Sequence, residues 1–127
     1  MKLFPPNLID FYKSGHVFQY PEGTEYIYSN FTPRSNRHAQ VLEEVNDDKV
    51  VFFGLQGVIQ WFLVDLWKKE FFNQPEDEVV NRYKRRMDLS LGEGAVTVDH
   101  IRALHRLGYL PIKIKALPKG SRVNMKV

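Results

Sequence analysis

The 127-residue sequence contains no cysteine, which excludes disulfide bridges, thiolate metal sites and cysteine nucleophiles. No apolar run approaches the roughly 18 residues that a membrane-spanning helix needs, because Gln60, Asp65 and Lys68 interrupt the longest one. The first six residues carry one basic side chain and no apolar segment, so we expect no signal peptide. These absences predict a cytoplasmic protein with no membrane partner.

The sequence also lacks a strong excess of positive or negative charge. The sequence has 18 Lys and Arg residues against 15 Asp and Glu residues, for a net charge of +3. This excess is too small to indicate a nucleic-acid partner, although phosphates and other small anions stay possible ligands. The basic run at residues 84–86 falls near the end of a predicted helix, where it compensates the helix dipole.

What the sequence does contain is typical of a globular domain. Hydrophobic residues make up 43% and aromatic residues 13% of the chain, enough to build one core. We therefore expect residues 1–127 to form a single domain, with a turn-rich N-terminal arm over residues 1–25 and a body over residues 26–127. The last predicted strand has no successor, so we expect this domain to be part of a longer protein.

The longest apolar segment predicts a helix. Within residues 50–72, hydrophobic side chains recur at helical spacing at positions 55, 58, 59, 62, 63 and 66. Trp61, Val64 and Trp67 add apolar residues outside that stripe. We therefore expect this helix to be buried on most sides.

Two further helices follow. Asn73 is a suitable N-cap for a helix over residues 75–88, which begins with acidic side chains. Thr97 can cap a third helix that ends near Leu107, where Gly108 supplies a left-handed stop.

Aromatic and hydroxyl residues before Pro33 predict a strand over residues 25–32, and alternating apolar and polar residues predict strands over 110–116 and 122–127. Residues 34–48 are predicted to be mainly loop, with room for one short strand. The fold class predicted is α/β (α+β), with a small mixed sheet and about three helices.

The sequence gives little support for a metal site or for a catalytic nucleophile. His16 and His38 are isolated, and His100 and His105 are five residues apart, unlike the four-residue spacing of a helical ligand pair. No serine lies on a glycine-flanked turn of the kind that hydrolases use. We expect no metal ligand and no catalytic residue in this chain.

Two places could bind a ligand. Residues 10–16 combine charged, hydroxyl and aromatic side chains without a core-forming period, as binding loops do, although a packed surface arm would look the same. Arg34 follows Pro33 at the end of a predicted strand, where its guanidinium could bind a phosphate or a carboxylate.

The same stretches, taken in order, resemble the N-terminal part of the nicotinamide phosphoribosyltransferase family. The matching segments read DFYKSGH at 10–16, QYPEGT at 19–24, YSNF at 28–31 followed by Arg34, VFFGLQ at 51–56 and LPIKIKALPKG at 110–120. Residues 36–49 and 73–96 match poorly. The resemblance covers nearly the whole chain but only the N-terminal part of the family's enzymes.

The resemblance implies the fold and activity of a type II phosphoribosyltransferase. Such enzymes join nicotinamide to the ribose of phosphoribosyl pyrophosphate, which gives nicotinamide mononucleotide and pyrophosphate in NAD salvage. Magnesium and ATP assist the complete enzymes, which are homodimers with active sites at the subunit interface. Because the family's catalytic residues lie in the C-terminal portion, the resemblance implies that this chain alone binds no cofactor and does not catalyse.

The resemblance also assigns roles to single residues. Tyr12 matches the tyrosine that stacks on the nicotinamide ring, and Arg34 matches an arginine that meets phosphate oxygens from the partner subunit. Asp10, Lys13 and His16 fall in the same block and are expected to support the position of the arm.

Two alternatives stay open. The substrate could be nicotinate or nicotinamide, because the residues that distinguish the acid from the amide lie outside this chain. A non-catalytic interaction or dimerisation module with the same N-terminal fold is the second functional hypothesis. The expected partners are therefore a second copy of the chain or the C-terminal portion of the enzyme, with nicotinamide and phosphoribosyl pyrophosphate in the complete site.

Overall fold

The computed structural model describes residues 3–35 and 49–126. It divides the chain into two compact units, the first formed by Met1–Glu22 with Val58–Ile112 and the second by Gly23–Gly57 with Lys113–Val127. Most of the predicted loop over residues 34–48, including His38, lies outside the described residues. That residues 1–127 form one domain stays a prediction.

The described residues form a small mixed α/β fold. Two 3-10 helices, Pro5–Asn7 and Phe11–Phe18, are followed by strand β1 (Lys49–Val51), helix α1 (residues 55–72), helix α2 (Glu76–Leu91), helix α3 (Asp99–Leu107) and strand β2 (Arg122–Asn124). The strands pair antiparallel, with Val50 opposite Val123. The predicted fold class is confirmed.

Helix α2 forms where the sequence predicts it, and extends to Leu91. Glu76, Asp77 and Glu78 lie in its first turn, where negative charge is favourable. Its N-cap is Pro75, so the prediction of Asn73 was wrong. Helix α1 continues to Phe72, and the Asn73 amide donates to the Lys68 carbonyl at 2.9 Å, which closes that helix instead.

The core of the first unit lies between α1, α2 and α3. Its buried apolar residues are Phe4, Phe71, Val79, Val80, Tyr83, Met87, Val96 and Ile101. The spacing of the four α2 residues in this set places them on one face of that helix. Phe71 is 0% exposed, and the ring centroids of Phe72, Trp67, His105 and Phe4 lie between 5.0 and 6.4 Å from its own.

Helix α1 differs from its prediction in two ways. It begins at Leu55 rather than near residue 50, because residues up to Val51 pair as β1 and Gly54 turns the chain with a φ of 85°. The helix is also not buried on most sides, since Trp61 is 59% exposed and only Glu70 and Phe71 are buried. Its hydrogen bonding is π-helical over Ile59–Leu66 and Lys68–Phe72.

The strand predictions were largely wrong. Residues 25–32 and 110–116 belong to no strand, and within the 122–127 prediction Arg122–Asn124 form a strand and residues 125–126 do not, while Val127 lies outside the described residues. Alternation favours a pleated surface but cannot supply a partner strand, and the partner of β2 is the short β1 segment that the pattern missed. Backbone bonds from Phe52 to Ser121 and from Gly120 to Phe52, both 2.8 Å, extend this pairing into the turn.

Helix α3 is confirmed near its predicted end but not at its predicted cap. Val98 rather than Thr97 precedes it, and Val98 makes no side-chain capping bond. The Val98 carbonyl accepts the amides of Ile101 and Arg102. Gly108 ends the helix with a φ of 80°, as predicted. Among the residues that the structure describes, no helix is long and apolar enough to cross a membrane.

Candidate functional site

The 3-10 helix Phe11–Phe18 carries most of the candidate site residues. Asp10 precedes it in an extended conformation, and the Asp10 carbonyl accepts the Lys13 amide at 2.9 Å. The buried Ser14 hydroxyl donates to the Phe11 carbonyl at 2.6 Å, which adds a side-chain bond inside the helix. The sequence did not reveal this helix, because short 3-10 segments have no 3.6-residue apolar repeat.

Tyr12 presents its ring to solvent. The side chain is 68% exposed, although the ring has two neighbours on the same helix. The His16 ring meets it edge-on, with centroids 5.7 Å apart, and the Lys13 ammonium lies 5.8 Å from its centroid. This geometry limits the side chain's freedom but leaves aromatic surface accessible to a flat ligand.

Asp10 and Lys13 form an ion pair one turn apart, with Oδ2 and Nζ separated by 3.0 Å. Hydrogen bonding to Asp10, helped by the opposite charge, raises the pKa of Lys13. Both side chains are substantially exposed, so solvent screens the pair and its contribution to stability is small. Asp10, Tyr12, Lys13 and His16 thus lie together in one short segment, and their roles toward a ligand stay predictions.

Arg34 belongs to the second unit. Its side chain is exposed, and the preceding residue is tied down, because the Pro33 carbonyl accepts the Lys126 amide at 2.9 Å. The described contacts therefore fix the backbone next to Arg34 and leave its guanidinium accessible.

The sequence did not reveal the contacts that hold the N-terminal arm. From here on, the arm means residues 3–22, the described part of the predicted arm that belongs to the first unit. Near its start, Phe4 is buried against Phe71, and the Arg82 guanidinium carbon lies 4.5 Å from the Phe4 ring centroid. Near its end, the Phe18 ring contacts His100 of α3. In the sequence, Phe4 and Phe18 belong to no helical or strand repeat, and large apolar residues of this kind were the sign that the arm packs on a core.

An ion-pair cluster joins α2 to α3 and was also missed. Glu76 Oε1 accepts from Arg102 Nη1 at 2.6 Å, and Glu76 Oε2 accepts from Arg106 Nε at 2.9 Å. Hydrogen bonds from Arg106 and Arg102 lower the pKa of Glu76 to about 2. Since the two arginines share this carboxylate, the cluster stabilises the helix pair rather than forming an open anion site.

Metal-binding groups are sparse over residues 3–35 and 49–126. Within these ranges, no group of three or more His, Asp or Glu side chains could hold a metal ion.

The described residues define a small mixed α/β fold with an exposed aromatic ring, Tyr12, beside Lys13 and His16. Comparison with protein families matches residues 7–114 to the family "Nicotinamide phosphoribosyltransferase, N-terminal domain". The chain belongs to this family, as its sequence motifs predicted.

A curated relative gives a more particular likeness. The protein named nicotinamide phosphoribosyltransferase from Acinetobacter baylyi (strain ATCC 33305 / BD413 / ADP1) is 67% identical over 126 residues. The match covers 99% of this chain and 25% of the relative, so the chain spans about a quarter of that protein's length. No solved structure matches the chain significantly.

Proposed function

We propose that this chain supplies the N-terminal part of an enzyme that joins nicotinamide to the ribose of phosphoribosyl pyrophosphate. In this reaction a bond forms between the ring nitrogen of nicotinamide and the ribose, and pyrophosphate leaves with the electron pair of the broken carbon–oxygen bond. The observation that carries the proposal is the exposed Tyr12 ring on the arm of a chain 67% identical to a named nicotinamide phosphoribosyltransferase.

Tyr12 is assigned to the nicotinamide ring. An accessible aromatic face offers dispersion and offset stacking to a flat heteroaromatic ring, about 0.5–1.5 kcal/mol beyond the buried area. The edge-on contact with His16 supports this role, because it restrains the tyrosine without covering the whole ring. Asp10 and Lys13 would support the same short helix through their ion pair.

Arg34 is assigned to phosphate oxygens. Its planar guanidinium can donate two parallel hydrogen bonds to a phosphate and carries a permanent positive charge. Placed beside the departing pyrophosphate, that charge would stabilise the negative charge that builds up in the transition state.

The rest of the proposed enzyme lies outside this chain. The proposed partners are the C-terminal portion of the enzyme and a second copy in a cytoplasmic homodimer, with Mg²⁺ and ATP acting on the complete protein. By resemblance to the family, we place the magnesium site in the C-terminal portion, together with the family's catalytic residues. Nicotinate is the competing substrate that the assay must separate from nicotinamide.

The test is formation of nicotinamide mononucleotide from nicotinamide and phosphoribosyl pyrophosphate. Three samples are compared: this chain alone, this chain mixed with the remaining three quarters of the A. baylyi relative, and a chimera in which this chain replaces the matching quarter of that relative. Turnover in the chimera or the mixture, and none in the isolated chain, supports the proposal.

Other outcomes contradict it. Turnover by the chain alone would show that residues of this chain catalyse the reaction. No turnover in any of the three samples would favour an interaction module without catalytic function.

A further inference from the structure

The candidate site helix lies between two attachments of the arm within the first unit. Phe4 is buried in the core against Phe71, with ring centroids 6.4 Å apart. Phe18, the last residue of the 3-10 helix, contacts the ring of His100. Residues 10–16 therefore lie on a segment held at both ends, which limits where Tyr12 can point.

The second attachment is a run of three rings. Phe18 meets His100 at 5.6 Å between centroids with planes 89° apart, and Tyr83 meets His100 at 5.5 Å and 83°. Edge-to-face packing of this kind places the positive ring edge against a negative ring face. Tyr83 is buried in α2, so the arm is tied through α3 to the core of the unit.

His100 depends on these ring contacts for its orientation. Its Nδ1 is buried without a hydrogen-bond partner among the described residues, and its Nε2 lies 3.4 Å from the Tyr83 hydroxyl, a long contact. With so little hydrogen bonding at the imidazole, the two neighbouring rings determine how it packs.

We propose that Phe18, packed on His100, is a positioning residue that holds the 3-10 helix in place and so orients Tyr12 for the nicotinamide ring. The inference takes its ligand, nicotinamide, from the proposed function, whereas the packing of Phe18 on His100 does not depend on that function. A 3-10 helix of eight residues is not stable alone, so the contact that fixes its last residue controls how often the whole segment opens.

Hydrogen exchange in the isolated chain tests the packing. The Lys13 and Gln19 amides are bonded to the carbonyls of Asp10 and His16, one near each end of the helix. Loss of one edge-to-face pair in Phe18→Ala should accelerate exchange at both amides by roughly 2- to 10-fold. Phe18→Tyr keeps the ring edge and should exchange like the wild type.

A matched control exists on the same arm. Tyr20 is 43% exposed, close to the 51% of Phe18, and takes part in no ring contact between described residues. Tyr20→Ala should leave exchange at Lys13 and Gln19 unchanged. Equal acceleration by Tyr20→Ala and Phe18→Ala, or no acceleration by Phe18→Ala, overturns the inference.

The chimera with the A. baylyi relative tests the consequence for binding. If the open arm cannot bind nicotinamide, Phe18→Ala raises the KM for nicotinamide, by at most the factor seen in exchange, and leaves kcat unchanged. A merely structural role would lower the amount of active enzyme, and so the apparent kcat, at constant KM. That second pattern contradicts a positioning role.

The two proposals fail separately. If neither the chimera nor the mixture turns over, the proposed function is wrong, while hydrogen exchange still decides whether Phe18 holds the helix. If Tyr12→Ala raises the KM, and Phe18→Ala opens the arm in a substantial fraction of the molecules without raising the KM, the proposed function survives and the positioning role is wrong.

Discussion

Replacement of Phe71 by alanine should remove a large part of the stability of the first unit. The side chain is 0% exposed and packs among the rings of Phe4, Trp67, Phe72 and His105. Truncation loses the transfer free energy of the ring and leaves a cavity that three helices cannot close without moving. We expect a loss of about 3–5 kcal/mol, against a typical domain stability of about 5–15 kcal/mol.

Tryptophan fluorescence provides the assay. The sequence has two tryptophans, and Trp61 is exposed while the Trp67 ring lies 5.2 Å from Phe71. In a Trp61→Phe background, Trp67 alone reports on this core during urea unfolding. The change in midpoint, at an unchanged slope, gives the difference in free energy of unfolding.

The matched control is the same substitution on the surface. Phe31 is 98% exposed, so Phe31→Ala should change the free energy of unfolding by no more than about 0.5 kcal/mol. A loss below about 1 kcal/mol in Phe71→Ala, or equal losses in the two variants, would show that the packing around Phe71 is not the core of this unit.

Three further outcomes are expected. In the chimera, Tyr12→Ala should raise the KM for nicotinamide by roughly 2- to 10-fold while circular dichroism stays unchanged, and a constant KM would remove Tyr12 from the site. Because the folded-state pKa of Glu76 falls from 4.5 to about 2, its ion pairs stabilise the fold fully above pH 4.5, and this contribution is lost as pH falls toward 2. The free energy of unfolding, measured from pH 2 to 6, should therefore decrease less on acidification in Glu76→Gln than in the wild type. An equal decrease in the two proteins would contradict the role of this carboxylate. The isolated chain should also self-associate, because Ile112 and Ile114 in the predicted but unformed strand are exposed; a monomer at high concentration in sedimentation equilibrium would count against this.

The helices were predictable because their signals are local. The acidic start and the apolar spacing of α2 lie within one segment, and Gly108 ends α3 through its own backbone preference. Helix caps were less predictable, because Asn73 could either begin α2 or close α1. The continuation of α1 to Phe72 selected the second role.

Strands depend on a partner elsewhere in the chain. Residues 25–32 and 110–116 have strand-like composition, yet the short Lys49–Val51 segment is the one that pairs with Arg122–Asn124. Helix α1 shows the same limit for burial, since an apolar stripe states which face is hydrophobic but not what covers it.

The candidate site divides in the same way. The sequence by itself determined the family, the cluster of Asp10, Tyr12, Lys13 and His16, and the likeness of Arg34 to a phosphate ligand, because residue identity and order carry that information. Only the tertiary structure decided that Tyr12 is exposed and that Phe18 packs on His100, because the exposure of a side chain depends on how the chain folds around it, and the Phe18–His100 contact joins residues more than 80 positions apart in sequence.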